Sequence, residues 1–100
     1  MNGNVTARPD RVHELKTWRI FFDDLASGMM TFNIRREDRD FGIGDIALFR
    51  EWLPTEDRFS GRETRKLITY VVHGGAGNFR PLAGLKPGYC VLGLAEVPEV

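Results

Sequence analysis

Apolar residues recur along this chain with two different periods, and the change of period marks out its elements. Trp18, Phe21, Phe22 and Leu25 are spaced i, i+3, i+4 and i+7, the stripe of an amphipathic helix. Thr17 stands where an N-cap belongs and Gly28 where a left-handed C-terminus belongs, so the spacing predicts a helix from Thr17 to about Ser27. Arg19 and Asp23, four apart, fall on its solvated face. Elsewhere the period is two. Phe32 and Ile34 alternate with Thr31, Asn33 and Arg35, and Leu67–Val72 is dense in β-formers. Strands are predicted at about 30–36, 45–53, 63–73 and 89–96, after a short first strand at His13–Lys16.

The connections follow from glycine and proline. Leu53 to Gly61 is expected to be a long hairpin loop, and residues 74–88 an irregular loop with one helical turn near Leu82–Leu85. The order of elements fits a small α+β domain. It would hold a curved β-sheet or partly closed β-barrel of about five or six strands and one main N-terminal helix.

One hundred residues allow a single domain, taken as 12–100 behind a polar, flexible leader at 1–11 that carries Gly3 and Pro9. Fourteen basic and fourteen acidic residues cancel, so any contact with nucleic acid must come from local clustering. Cys90 is the single cysteine, which excludes an intrachain disulfide and suggests a reducing compartment. Its neighbours Tyr89, Val91 and Leu92 make a core thiol the expected role. The N-terminus lacks the apolar segment of a signal peptide, and no stretch has the length of a membrane span. A soluble, cytoplasmic monomer is the expectation.

Most catalytic patterns are missing. His13 and His73 lie far apart and no Cys or His pair has ligand spacing, so no metal site and no cofactor is expected. Ser27 and Ser60 fall at turns, which argues against a serine nucleophile. Gly74-Gly75-Ala76-Gly77 lacks the lysine and following helix of a phosphate loop. What stands out is the run Thr31–Trp52. Its cluster Arg35-Arg36-Glu37-Asp38-Arg39-Asp40 is followed by Gly42, Gly44 and Asp45 and by a strand ending in Glu51-Trp52. As a solvated turn, each of its ion pairs would contribute about 1 kcal/mol or less. As a site, its arginines would offer donor forks to phosphate beside the aromatic faces of Trp18 and Trp52. Trp18 belongs equally to the helix stripe, where core packing is its simpler role.

The order of these motifs resembles the ASCH domain of the PUA-like superfamily, in particular a short, mostly uncharacterised bacterial and phage branch. The residues concerned are His13-Glu14-Leu15-Lys16, Gly28-Met29-Met30-Thr31-Phe32-Asn33-Ile34-Arg35, Glu37-Asp38-Arg39-Asp40-Phe41, Ile43-Gly44-Asp45 and Glu51-Trp52. Gly61-Arg62-Glu63, the Tyr70 strand and Gly84 to Leu92 continue the pattern. The resemblance covers residues 13–95 and implies a small barrel with a helix beside it and a cleft lined by the Lys/Glu/Arg motif. It also implies RNA binding or action on modified nucleosides. Two positions depart from the motif: Met30 stands in place of its lysine and Asn33 in place of its glutamate. Enzymatic relatives that deacetylate acetylated cytidine rely on that lysine, and a methionine can neither act as a base nor activate a nucleophile.

The expected function is therefore a module binding single-stranded RNA or a nucleotide through Lys16, Trp18, Asn33, Arg35, Arg36, Arg39, Glu51 and Trp52. The alternative is a small hydrolase of RNA or a modified nucleoside, with Lys16, Glu51 and Asp38 as its available acids and bases. The orientation of one strand separates site from surface. If Thr31, Asn33 and Arg35 face inward, the run builds a site.

Overall fold

The computed structural model describes residues 5–75, 81–82 and 84–98. Its elements are β1 (Val12–Trp18), α1 (Arg19–Ser27), β2 (Phe32–Arg36), β3 (Ile46–Leu53), β4 (Arg58–Gly74), β5 (Pro81–Leu82) and β6 (Tyr89–Glu96). The main sheet runs β1-β3-β4-β6-β2, with β5 added beside β4. β1 pairs parallel with β3, Val12 opposite Ile46 and Trp18 opposite Trp52. The other main pairs are antiparallel, and β2 is held by β6 from Phe32–Gly93 to Arg36–Tyr89.

β4 organises the sheet. Its first part pairs with β3 as far as Leu67–Ile46, and its second pairs with β6 from Lys66–Glu96 to His73–Cys90. The register shifts between Ile68 and Tyr70, where the strand passes from one partner to the other. An extra residue of this kind bends and twists a strand, which curves the sheet. Gly93 faces that bend, and a Cβ there would come within 3.2 Å of the Tyr70 Cβ.

The curvature encloses a core of Leu15, Leu25, Phe41, Ala47, Phe49, Ile68, Cys90, Leu92 and Leu94, against which Met30 and Val71 pack. Each fully buried leucine or phenylalanine contributes roughly 1.5–3 kcal/mol by leaving water. The Cys90 thiol is buried as expected, and burial followed by the nearby Glu37 carboxylate pushes it up to about 11. It is a packing residue. Among the described residues no helix is long and apolar enough to cross a membrane.

Several expectations need correcting. The sheet is curved as expected, but it does not close into the barrel that the resemblance implies, because β1 and β2 end it and do not pair with each other. Thr17 does not cap the helix. Its hydroxyl donates to the Leu15 carbonyl at 3.2 Å, and the cap position belongs to Trp18, which supplies no side-chain hydrogen bond. Gly28 does end the helix left-handed (φ 85°), but only Phe22 and Leu25 of the apolar stripe are buried. Trp18 and Phe21 are half exposed, and Asp23, on the solvated face as expected, pairs with Arg62.

The expected long loop from Leu53 is short, since β4 already starts at Arg58. Asp57 (φ 53°) makes the reversal, and Gly61 (φ 97°) lies inside the strand. Leu82 sits in β5 rather than in a helical turn. Residues 76–80 and 83, covering part of that turn and of the glycine run, lie outside the described residues, as do 1–4 of the leader.

Candidate functional site

Two groups of polar side chains leave the surface in different ways. The first centres on Asp45, which is 0% exposed. Gly42 and Gly44 form the turn before β3. The Gly42 amide donates to Asp45 Oδ2 at 2.9 Å, and Gly44 (φ 97°) lies against the Thr6 carbonyl, where a Cβ would come within 2.5 Å. That close approach threads the N-terminal segment past the turn. Arg8 Nη2 donates to Asp45 Oδ1 at 2.6 Å, Arg11 Nε to the same oxygen at 3.0 Å, and His13 Nε2 lies 2.7 Å from Oδ2. The described part of the leader is thus tied to the domain, and Arg8 N–H also donates to the Gly44 carbonyl. Burial on its own would raise the Asp45 carboxyl. The hydrogen bonds from Arg11, His13 and the Gly42 amide outweigh it and hold the group down to about 2.

The second group lies at the open seam of the sheet. The β2 alternation turns Asn33 and Arg35 inward, since they sit opposite the buried Leu92 and Cys90, and leaves Phe32 and Ile34 outside. Thr31, before the strand, is exposed. Across the gap, β1 presents unpaired backbone. Arg35 Nη1 donates to the Lys16 carbonyl at 3.2 Å, and Arg39 Nη1 donates to the Glu14 carbonyl at 3.0 Å. Two guanidinium groups therefore stand where a barrel would have a backbone ladder. Between the strands is a cleft of about 260 Å³ lined by Lys16, Thr17, Trp18, Phe21, Asn33, Ile34 and Arg35.

Arg35 is unusual in this cleft. It has no carboxylate salt bridge among the described residues, and its side-chain contacts are the Lys16 carbonyl and Asn33 Oδ1 at 3.4 Å. Burial first, and then the like charge of Arg39, lower its pKa from the ordinary arginine value. The guanidinium stays charged all the same, because arginine does not deprotonate in proteins. Asp38 opposes the lowering only at a distance, so the half-buried charge has no carboxylate in contact with it and can accept an anion.

A family model described as a domain of unknown function, DUF3850, matches residues 12–94, from the start of β1 almost to the end of β6. The chain belongs to the DUF3850 family. It is also 31% identical over 61 residues to an uncharacterized 12.9 kDa protein in the GpA 3′ region of Escherichia phage P2, an alignment covering 61% of this chain. The chain spans about half (54%) of that curated relative's length. The DUF3850 match contains every cleft residue and Asp45, whereas Arg8 and Arg11 precede it. Of the three side chains that hold Asp45, only His13 lies within the match.

Within this DUF3850 domain the predicted site residues divide. Trp18, Asn33 and Arg35 meet in the cleft, where Lys16 offers its backbone carbonyl, and Arg39 closes one end of its seam. Trp52 lies on the outer face of the sheet. The Lys16 ammonium sits 3.9 Å over its ring, and Phe59 packs edge-on at 5.0 Å. Arg36 turns outward to the Tyr89 hydroxyl at 3.5 Å, and Asp38 is an exposed partner of Arg39.

Glu51 departs most from expectation. It does not line the cleft; its side chain is buried and gripped by both arms of Arg62 at 2.9 and 2.8 Å. Hydrogen bonds from Arg62, then Ser60, hold its carboxyl down to about 2, and Arg62 is raised in return. Arg62 also reaches Asp23 and lies over the Phe22 ring, so this network fastens α1 to the sheet.

Three further features went unseen in the sequence. Phe21 belongs by its spacing to the helix stripe, yet it lines the cleft. Lys66, almost fully buried, donates to Glu96 Oε2 at 2.6 Å and to the Ala26 carbonyl near the end of α1. The Asp45 constellation draws on Arg8 and Arg11, which sequence reading placed in a loose leader. One signal was available: a single acid directly before the apolar run Ile46–Phe49 must either be paired or stop the strand. His73 pairs with Glu37 at 2.9 Å, and no group of three or more His, Cys, Asp or Glu residues among those described is placed to hold a metal ion.

Proposed function

We propose that the seam between β1 and β2 binds single-stranded RNA or a nucleotide. The observation carrying this reading is Arg35: a half-buried guanidinium, facing a cleft, with neutral acceptors only among the described residues. A phosphate would give it a counter-charge in direct contact, where the fold places only Asp38 at a distance, in the forked geometry that arginine and phosphate share. Arg39, which already bonds across the seam, would add a second contact. Trp18 and Phe21 are half-exposed aromatic faces on the rim, suited to stacking an unpaired base, and Asn33 offers an amide to its edge.

Binding is favoured over hydrolysis because the candidate acids and bases are otherwise engaged. Glu51 is locked by Arg62, the Lys16 ammonium lies over Trp52, and Asp38 is an exposed ion-pair partner. The position of the ASCH-type lysine is Met30, which packs against the core. Kinship with ASCH domains of the PUA-like superfamily is part of the same proposal.

Titration of short single-stranded RNAs into isotope-labelled protein tests it. Shifts are expected at Lys16, Trp18, Asn33 and Arg35, with a shallow salt dependence because only about two phosphates would be contacted. Absence of any shift around the seam overturns the reading. Turnover of acetylated cytidine or RNA by the folded protein would move the assignment to the hydrolase.

A further inference from the structure

A second cavity adjoins the cleft. It occupies about 520 Å³ between the start of α1 and the β3–β4 turn and is lined by Trp18, Arg19, Ile20, Leu53, Pro54 and Thr55. Trp18 lines both spaces.

The two are chemically unlike. The cleft holds a cation and an amide. The adjoining cavity is walled mostly by carbon, and Trp18 (55% exposed) and Ile20 (75% exposed) leave large apolar surfaces in water there. The indole of Trp18 is not needed by the core. Its register neighbour Trp52 is already covered by Lys16 and Phe59, and helix α1 is anchored through Phe22 and Leu25 instead. Arg19, on the rim, makes no salt bridge among the described residues, acts on Glu51 only at a distance, and would face whatever negative charge spans the two spaces.

Resting on the reading of the cleft as a phosphate site, we infer that this cavity seats the base of the adjoining nucleotide. The ligand is then a single strand of at least two nucleotides rather than a mononucleotide. A flat ring stacked on Trp18 and covered by Ile20, Leu53 and Pro54 fills an apolar slot, while its backbone passes Arg19 towards Arg35. Few polar groups line the slot. It should therefore accept any base by stacking, without reading hydrogen-bond patterns.

The test compares a nucleoside monophosphate, a dinucleotide and a trinucleotide on the whole chain, by calorimetry and by Trp fluorescence. The dinucleotide should bind about ten-fold or more tightly than the monophosphate, with quenched indole emission, and the trinucleotide should add little. Ile20→Glu, at a solvent-exposed position, should bring the dinucleotide down to the affinity of the monophosphate. Ile20→Val, which keeps the slot apolar, should retain the preference. Equal affinity for monophosphate and dinucleotide overturns the second subsite and leaves the cleft reading standing. A dinucleotide preference untouched by Ile20→Glu also overturns it. Failure of all three ligands to bind removes the cleft reading, and the subsite with it.

Discussion

Asp45 and Arg35 are both ionised groups drawn out of water within one small domain, but their surroundings treat them in opposite ways. Asp45 collects two guanidinium groups, an imidazole and a backbone amide. Arg35 touches only a carbonyl and an amide oxygen, with the like charge of Arg39 and the opposite charge of Asp38 both acting from a distance. A buried charge compensated inside the molecule acts as a structural clasp, and here the clasp ties residues 8–13 to the turn before β3. A charge left uncompensated adds little to the fold and is available to a ligand. The contrast is more informative than counting charges, because the chain's net charge is zero and both sites contribute to that balance.

The largest effect is expected from Asp45→Asn, which leaves Arg8 and Arg11 facing a neutral amide. Arg8 and Arg11 are partly exposed and can turn to water, so unfolding in urea should show a loss of about 1.5–3 kcal/mol. A loss below about 1 kcal/mol would mean that the clasp is ornamental and the contrast false. Acid should act next most strongly. The native carboxyls of Asp45 and Glu51 lie at about 2, below their unfolded values near ~4, so their contribution is complete above that range. It is lost as pH falls towards about 2. Thermal melts should stay level from neutral pH to about pH 5 and then decline, and Asp45→Asn should shallow that decline.

Arg35→Met, which keeps an apolar stem in the same space, should reverse the pattern. Its stability should stay within about 1 kcal/mol of the parent, while affinity for short RNA falls about ten-fold. Stability falling as far as in the Asp45 variant would instead make Arg35 a structural bolt of the seam. The smallest effect is expected from Arg8→Ala. Its guanidinium is nearly half exposed and Arg11 and His13 remain on Asp45, so urea midpoints should report about 1 kcal/mol or less.

The strands were legible in the sequence because their signal is local. Alternation in Thr31–Arg35 and the β-branched run before His73 suffice to place β2 and the middle of β4. The same alternation correctly put Asn33 and Arg35 on one face. It could not say that this face looks inward, which depends on β6 lying alongside. Glu51 misled for a related reason. Being next to Trp52 in the sequence puts it on the opposite face of β3, and only the fold brings Arg62 beneath it. The Asp45 clasp was hidden because its partners come from residues more than thirty positions earlier. Thr17 looked like a cap from composition alone, but as the penultimate residue of β1 its side chain turns into the sheet and is buried.

The pairing of β2 sets an order on assembly. β2 has a single strand partner among the described residues, and Phe32 finds Gly93 only after almost the whole chain between them has been made. Until β6 arrives, β1, β3 and the first part of β4 can pair, while Phe32 and Ile34 hang on an unattached segment. Contacts so distant along the chain form slowly, so the seam should be the last part of the molecule to mature. Ligand binding would thus report that synthesis and folding are complete, and a nascent chain stopped before Tyr89 would display a sheet without a cleft.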